Sequence, residues 1–191
     1  MKPLERGEIV DYATYDDIRE SFRAEVMRVK SRRRVHIGDY LTLLFENRTT
    51  VRYQIQEMMR AERIVRESDI RHEIDTYNEV LGRDGELGCT LLIEIEDPAL
   101  RNRKLQDWWT LPENVYLVLE DGSRIMAAFD ATQRGDGRLS SVQYLKFDTN
   151  GQVPIAAGVD LPDFRAETPL SPEQKHALRA DLGNSGTVRA K

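Results

Sequence analysis

At Leu87 the spacing of apolar residues changes from helical to alternating, and this change limits the folds open to the chain. Upstream, Ile18, Phe22, Val26 and Val29 recur at helical intervals, and Ile70, Ile74, Tyr77 and Leu81 repeat the pattern, as helices with one apolar face require. Downstream, Leu87, Cys89, Leu91, Ile93 and Ile95 form one face of a long strand, with Thr90, Glu94 and Glu96 on the other. Helices and strands segregated along a chain pack as an α+β domain. The expectation is a single domain, mainly an antiparallel sheet packed against N-terminal helices.

The remaining elements follow from local signals. Thr14 or Asp16 reads as the start of a helix over about 15–31, with acidic residues in its first turn and basic ones in its last. Residues 34–37 and 40–46 flank Gly38-Asp39 as a short hairpin, a helix through 39–46 being the alternative. Asn47 or Thr49 can cap a central helix, and another begins near Ser68-Asp69, with Gly82 placed to end it. Asp97-Pro98 opens a short helix that Leu105, Trp108 and Trp109 would dock on the sheet. Asp121-Gly122-Ser123 joins strands over 115–120 and 124–129, and a last strand covers 139–147. The proline- and glycine-bearing stretch 148–169 reads as a connecting arm, and Ser171-Pro172-Glu173-Gln174 as the start of a helix through Leu182. The expected organisation is a loosely attached arm over 1–13, one domain over 14–148, and a C-terminal arm over 149–191 ending in a disordered tail.

Composition sets limits on function. A chain of 191 residues, 40% apolar and 32% charged, can bury a core without staples. A single cysteine, Cys89, excludes an internal disulfide and a cysteine-only zinc site, and suits a reducing compartment. The N-terminus has no signal-peptide core and no run reaches the roughly 18 apolar residues of a membrane span, so the expected location is the cytoplasm with no membrane contact. Net charge is −5, divided unevenly: residues 1–66 carry 14 Lys or Arg against 11 Asp or Glu, and the rest 14 against 22. The acidic total argues against a general nucleic-acid binder. Arg32, Arg33 and Arg34, beside Lys30, are candidates for a local anion patch or for a nucleic-acid-binding regulator, with a solvated helix end as the simpler alternative.

Glu62 is the chemically odd position. At about 100° per residue, residues 51–66 place Val51, Ile55, Met58, Met59, Ala61 and Val65 on one arc with Glu62 near its middle and Gln54 at its margin. A carboxylate on an apolar face is costly unless paired, hydrogen-bonded or protonated. Three alternatives stand. Glu62 forms a structural ion pair with Arg33, Arg34 or an arginine of the first helix. It joins Gln54, Glu46 and Tyr53 or His36 around a ligand pocket, where Glu62, Glu46 and His36 are also candidate metal ligands. Or it lies at a helix edge or in a protein interface. Cys89 reads as a buried small hydrophobe.

The run RRVHIGDYLTLLFENRTTVRYQIQEMMRAERI over 33–64, with EIDTYNEVL and GELGCTLLIEI after it, resembles an uncharacterised bacterial domain-of-unknown-function family of about this length. The FEN and YQIQEM elements carry the resemblance, which covers 15 to about 148. Members are often encoded beside a rubrerythrin and an iron-sulfur oxidoreductase. The resemblance therefore implies an accessory or interaction protein of a redox or oxidative-stress system, with such a protein as partner. It carries over no catalytic residue, cofactor or metal.

Overall fold

The computed structural model describes residues 1–135 and 137–183. Asp11 opens α1 (Tyr12–Ser31) by accepting from the amides of Ala13 and Thr14, and Asn47 opens α2 (Arg48–Glu62) by accepting from the Thr50 amide. α3 (Glu67–Asn78) follows. Val51, Ile55 and Met59 of α2 pack with Ile70 and Ile74 of α3 and with Leu81, Leu4 and Ile9. Residues 1–13, expected as a loose arm, are thus part of this helical core. They are also bonded to it: the Leu4 amide donates to Asn78 Oδ1, the Gln56 side chain both donates to and accepts from the Val10 backbone, and the N-terminal amine donates to Gly82 O.

The strands are β1 (Arg34–Ile37), β2 (Leu41–Phe45), β3 (Glu86–Ile93), β4 (Val115–Val118), β5 (Arg124–Met126), β6 (Ala128–Phe129), β7 (Val142–Asp148), β8 (Ala156–Leu161) and β9 (Phe164–Pro169). They form two antiparallel sheets, ordered β1-β2-β3-β7-β6 and β5-β4-β8-β9. The main core lies between them, with Ile37, Leu43, Phe45 and Leu91 facing Leu117, Ala157 and Val159, and it is closed by Trp108 and Leu178. Trp108 follows α4 (Pro98–Asp107), and Leu178 sits on α5 (Pro172–Asp181). The protein is a single α+β domain.

The opposite face of the first sheet looks toward the helices. A straight register row, Arg34, Leu44, Thr90 and Tyr144, crosses four strands on that side. Strand β2 is therefore covered on both faces and every one of its residues is buried. That explains its unbroken run LTLLF, which shows no alternation and left a helix open as an alternative. Gly88 of β3 lies where the chain after α3 crosses: a Cβ there would sit 1.9 Å from Val80 O.

Two expectations about the chain's second half need correction. The stretch 148–169, read as a connecting arm, contributes β8 and β9, so the C-terminal part belongs to the domain. Its glycine has a structural reason: Gly158 sits in β8 where a Cβ would be 2.5 Å from the Tyr116 ring and hydroxyl. The strand expected over 124–129 is divided at Ala127, β5 pairing in one sheet and β6 in the other. The tail expected to be disordered lies, beyond Gly183, outside the described residues.

Candidate functional site

The α1–β1 junction is short, which brings the last helical turn and the first strand together. Lys30 in that turn, Arg34 at the start of β1 and His36 two residues on, hence on the same strand face, line a crevice of about 350 Å³ with Met27 and Ser31. Between Lys30 and Arg34 the three arginines separate. Arg32 is the exposed C-cap of α1. Arg33 turns inward, and its Nε and Nη2 donate to Asp181 of α5 at 2.6 and 2.9 Å, with about a tenth of either side chain exposed. Arg34 is half-buried, and its Nε has no partner among the described residues. Of the expected anion patch, only Arg34 lines the crevice.

Lys30 is half-buried beneath α2, with its ammonium 5.3 Å from the centre of the Tyr53 ring. Burial lowers its pKa, the nearby Glu46 carboxylate opposes that shift, and Arg34 adds to it. Glu46 continues β2 by donating its amide to Gly88 O, and its side chain turns to the helical side. It is 2% exposed, accepts from Thr90 Oγ1 at 2.7 Å through Oε1, and has no partner for Oε2 among the described residues. Its charge also acts on Tyr144, directly across from Thr90, whose hydroxyl pKa burial raises. A polar seam therefore runs between the helices and the sheet. At its far end a cavity of about 760 Å³ opens between α3 and the β6–β7 edge, lined by Tyr77, Val80, Phe129, Tyr144 and Lys146 among others.

The expected Glu62 pocket is only partly assembled. Glu46 and Tyr53 are buried at the seam. Gln54 is half-buried with Nε2 enclosed and unpaired among the described residues, and no hydrogen bond joins it to Glu46. Glu62 is exposed. The reason is that α2 ends there: Arg63 takes the left-handed conformation (φ 51°), so no further turn wraps over Glu62 and Val65 is left 68% exposed. The helical projection beyond residue 62 describes a turn the chain does not make. Among the described residues no group of three His, Cys, Asp or Glu is placed to hold a metal ion, so Glu62, Glu46 and His36 do not form the expected ligand set. Cys89 is fully buried, as expected, and burial raises its thiol pKa well above the ordinary value.

Lys30, named beside the arginines from the sequence, lines the crevice with Arg34, whereas sequence reasoning missed Thr42 and Glu94. Thr42 lies opposite His36 in β1–β2, and its Oγ1 is 2.8 Å from His36 Nδ1 and 2.5 Å from Glu94 Oε2. The Gly38-Asp39 turn could have suggested the His36–Thr42 pairing, but Glu94 arrives from a distant strand.

Fold and seam together define a three-layer α+β protein with charged groups enclosed between helices and sheet. Residues 3–182 match the family described as Protein of unknown function (DUF3501), and the chain belongs to that family. It is similar to a crystal structure titled novel protein of unknown function from Burkholderia pseudomallei K96243, at 30% identity over 95% of this chain and 100% of that one, with a TM-score of 0.87. No curated protein matches the chain. Among the described residues no helix is long and apolar enough to cross a membrane.

Proposed function

We propose that the protein binds a small molecule bearing a phosphate or carboxylate group in the crevice formed by Lys30, Arg34 and His36. One contrast supports this reading. Where the fold needs a buried charge neutralised it closes the pair fully, as in Arg33–Asp181. Along the seam it does not: neither Lys30 nor Arg34 has an ion-pair or hydrogen-bonding partner for its side chain among the described residues, although Glu46 is close enough to act on Lys30. Charges left open in partly desolvated surroundings cost stability unless an opposite charge arrives. Arg34 supplies forked donors and Lys30 a point charge, the pair of groups that oxyanions engage. Glu46 opposes the lowering of the Lys30 pKa that burial causes.

Calorimetric titration with inorganic phosphate and with acetate tests this. Binding of at least one anion is expected, lost in Arg34→Ala and Lys30→Ala and retained in Arg32→Ala, whose side chain is exposed. Equal heats in all four proteins, or none in any, would refute it. The accessory role in a redox system rests on the family resemblance alone, and co-purification of a rubrerythrin or iron-sulfur protein from the native host is its test. The nucleic-acid alternative loses two of its three arginines as a continuous patch, since Arg33 is enclosed and Arg34 faces the crevice.

A further inference from the structure

We infer that His36 is the proton acceptor for the molecule held in the Lys30–Arg34 crevice, with Thr42 and Glu94 as positioning residues; this rests on the crevice reading above. The geometry spans three strands. His36 is on β1, Thr42 directly opposite it on β2, and Glu94 just beyond the end of β3, where its amide donates to Tyr40 O. Glu94 lies two strands from His36, and Thr42, with no exposure to solvent, bridges them.

A threonine hydroxyl has one proton and two lone pairs. The carboxylate of Glu94 can only accept, so the Thr42 proton goes to Glu94 Oε2 at 2.5 Å, and Thr42 Oγ1 receives its second bond from His36 Nδ1–H at 2.8 Å. This assigns the tautomer from the hydrogen-bond network. The proton sits on Nδ1, and Nε2 presents its lone pair from a ring that lines the same crevice as Lys30 and Arg34. A histidine whose far nitrogen donates into a fixed hydrogen-bond chain has its tautomer and ring orientation set by that chain, which leaves the other nitrogen free to act. In the transfer, a proton leaves an O–H, N–H or C–H of the bound molecule and comes to rest on Nε2. The electron pair stays on that molecule, where Arg34 and Lys30 offset its charge, and Glu94 faces the new imidazolium through Thr42.

The test uses the other two described histidines as internal standards, since His72 and His176 are both exposed on helices. Diethyl pyrocarbonate modifies the free imidazole nitrogen, and peptide mass spectrometry reads each site. His36 is expected to react several-fold faster than His72 and His176, to show the Nδ1–H tautomer in nitrogen-15 NMR, and to fall to the rate of the other two in Thr42→Val and Glu94→Gln. Inorganic phosphate should slow His36 alone. An Nε2–H tautomer, or a His36 rate indifferent to Thr42→Val, overturns the relay directly. The Nδ1–H tautomer and a fast rate without phosphate protection instead overturn the anion crevice, and the acceptor role with it. Glu94→Gln changes an exposed side chain, so the comparison survives if Thr42→Val does not fold.

Discussion

Replacing Asp181 by Asn is the most informative perturbation of stability, because a single closed pair ties α5 to the junction between α1 and β1. The two side chains are 10% and 7% exposed and meet through two hydrogen bonds of 2.6 and 2.9 Å. Asp181 also accepts from Asn47, the cap of α2, at 3.3 Å. Asparagine keeps the shape but removes the charge and points a donor at a guanidinium that can only donate. Arg33 retains its bond from Nη1 to Val29 O, and the amide oxygen can still accept one of the two bonds that the carboxylate took. Breaking a buried pair from one side costs about 3–5 kcal/mol, and the remaining bonds argue for the lower end, about 3 kcal/mol. For a chain of this length that is a fall in melting temperature of about 6–12 °C. Urea unfolding followed by circular dichroism should show the midpoint falling with little change in slope. The double variant Arg33→Met/Asp181→Leu should recover most of the loss, because no charge is then left buried. If Asp181→Asn unfolds within about 1 kcal/mol of the parent, the pair is solvated and the contrast with the open seam fails.

Three further outcomes are expected. Arg19 holds the Glu57 carboxyl below its ordinary value of 4.5 by hydrogen bonding, with Tyr15 donating to the same group against the opposing effect of burial. A depressed folded-state pKa stabilises above the unfolded value and is lost as pH falls through the folded one, so the stability gap between parent and Glu57→Gln should be full near neutral pH and shrink as pH falls below the ordinary 4.5 and through the depressed folded-state value in acid titrations of unfolding. Cys89 should give no reaction with a disulfide reagent in the native protein and one equivalent after unfolding; rapid native labelling would contradict its burial. Glu62→Gln should leave stability within about 0.5 kcal/mol of the parent, as for exposed positions away from special contacts, and a larger loss would restore the buried-carboxylate reading.

The local signals in the chain carried well into the structure. Asn47, Asp97 and Ser171 each cap the helix expected of them, and Gly38 and Gly122 take the positive φ angles that their turns need. The alternation from Leu87 is the core face of β3. Less was legible at the site: Glu46 and Tyr53 are buried at the seam, but Glu62 is outside it because one left-handed residue ended the helix a turn early.

The sequence by itself determined that helices and strands up to Phe147 exist, roughly where most of them lie, which of their faces are apolar, and that the domain is α+β, because caps, turns and periodicity depend on neighbours within a few residues; the first helix nevertheless starts at Tyr12, capped by Asp11 rather than by Thr14 or Asp16. Only the tertiary structure decided that the proline- and glycine-bearing stretch after Asp148 forms half of a second sheet, that Arg33 is neutralised by a residue 148 positions away, and that Lys30, Arg34 and His36 share one crevice backed by Thr42 and Glu94. Those features depend on strand pairing and desolvation between distant segments, and neither quantity is a property of any local run of residues.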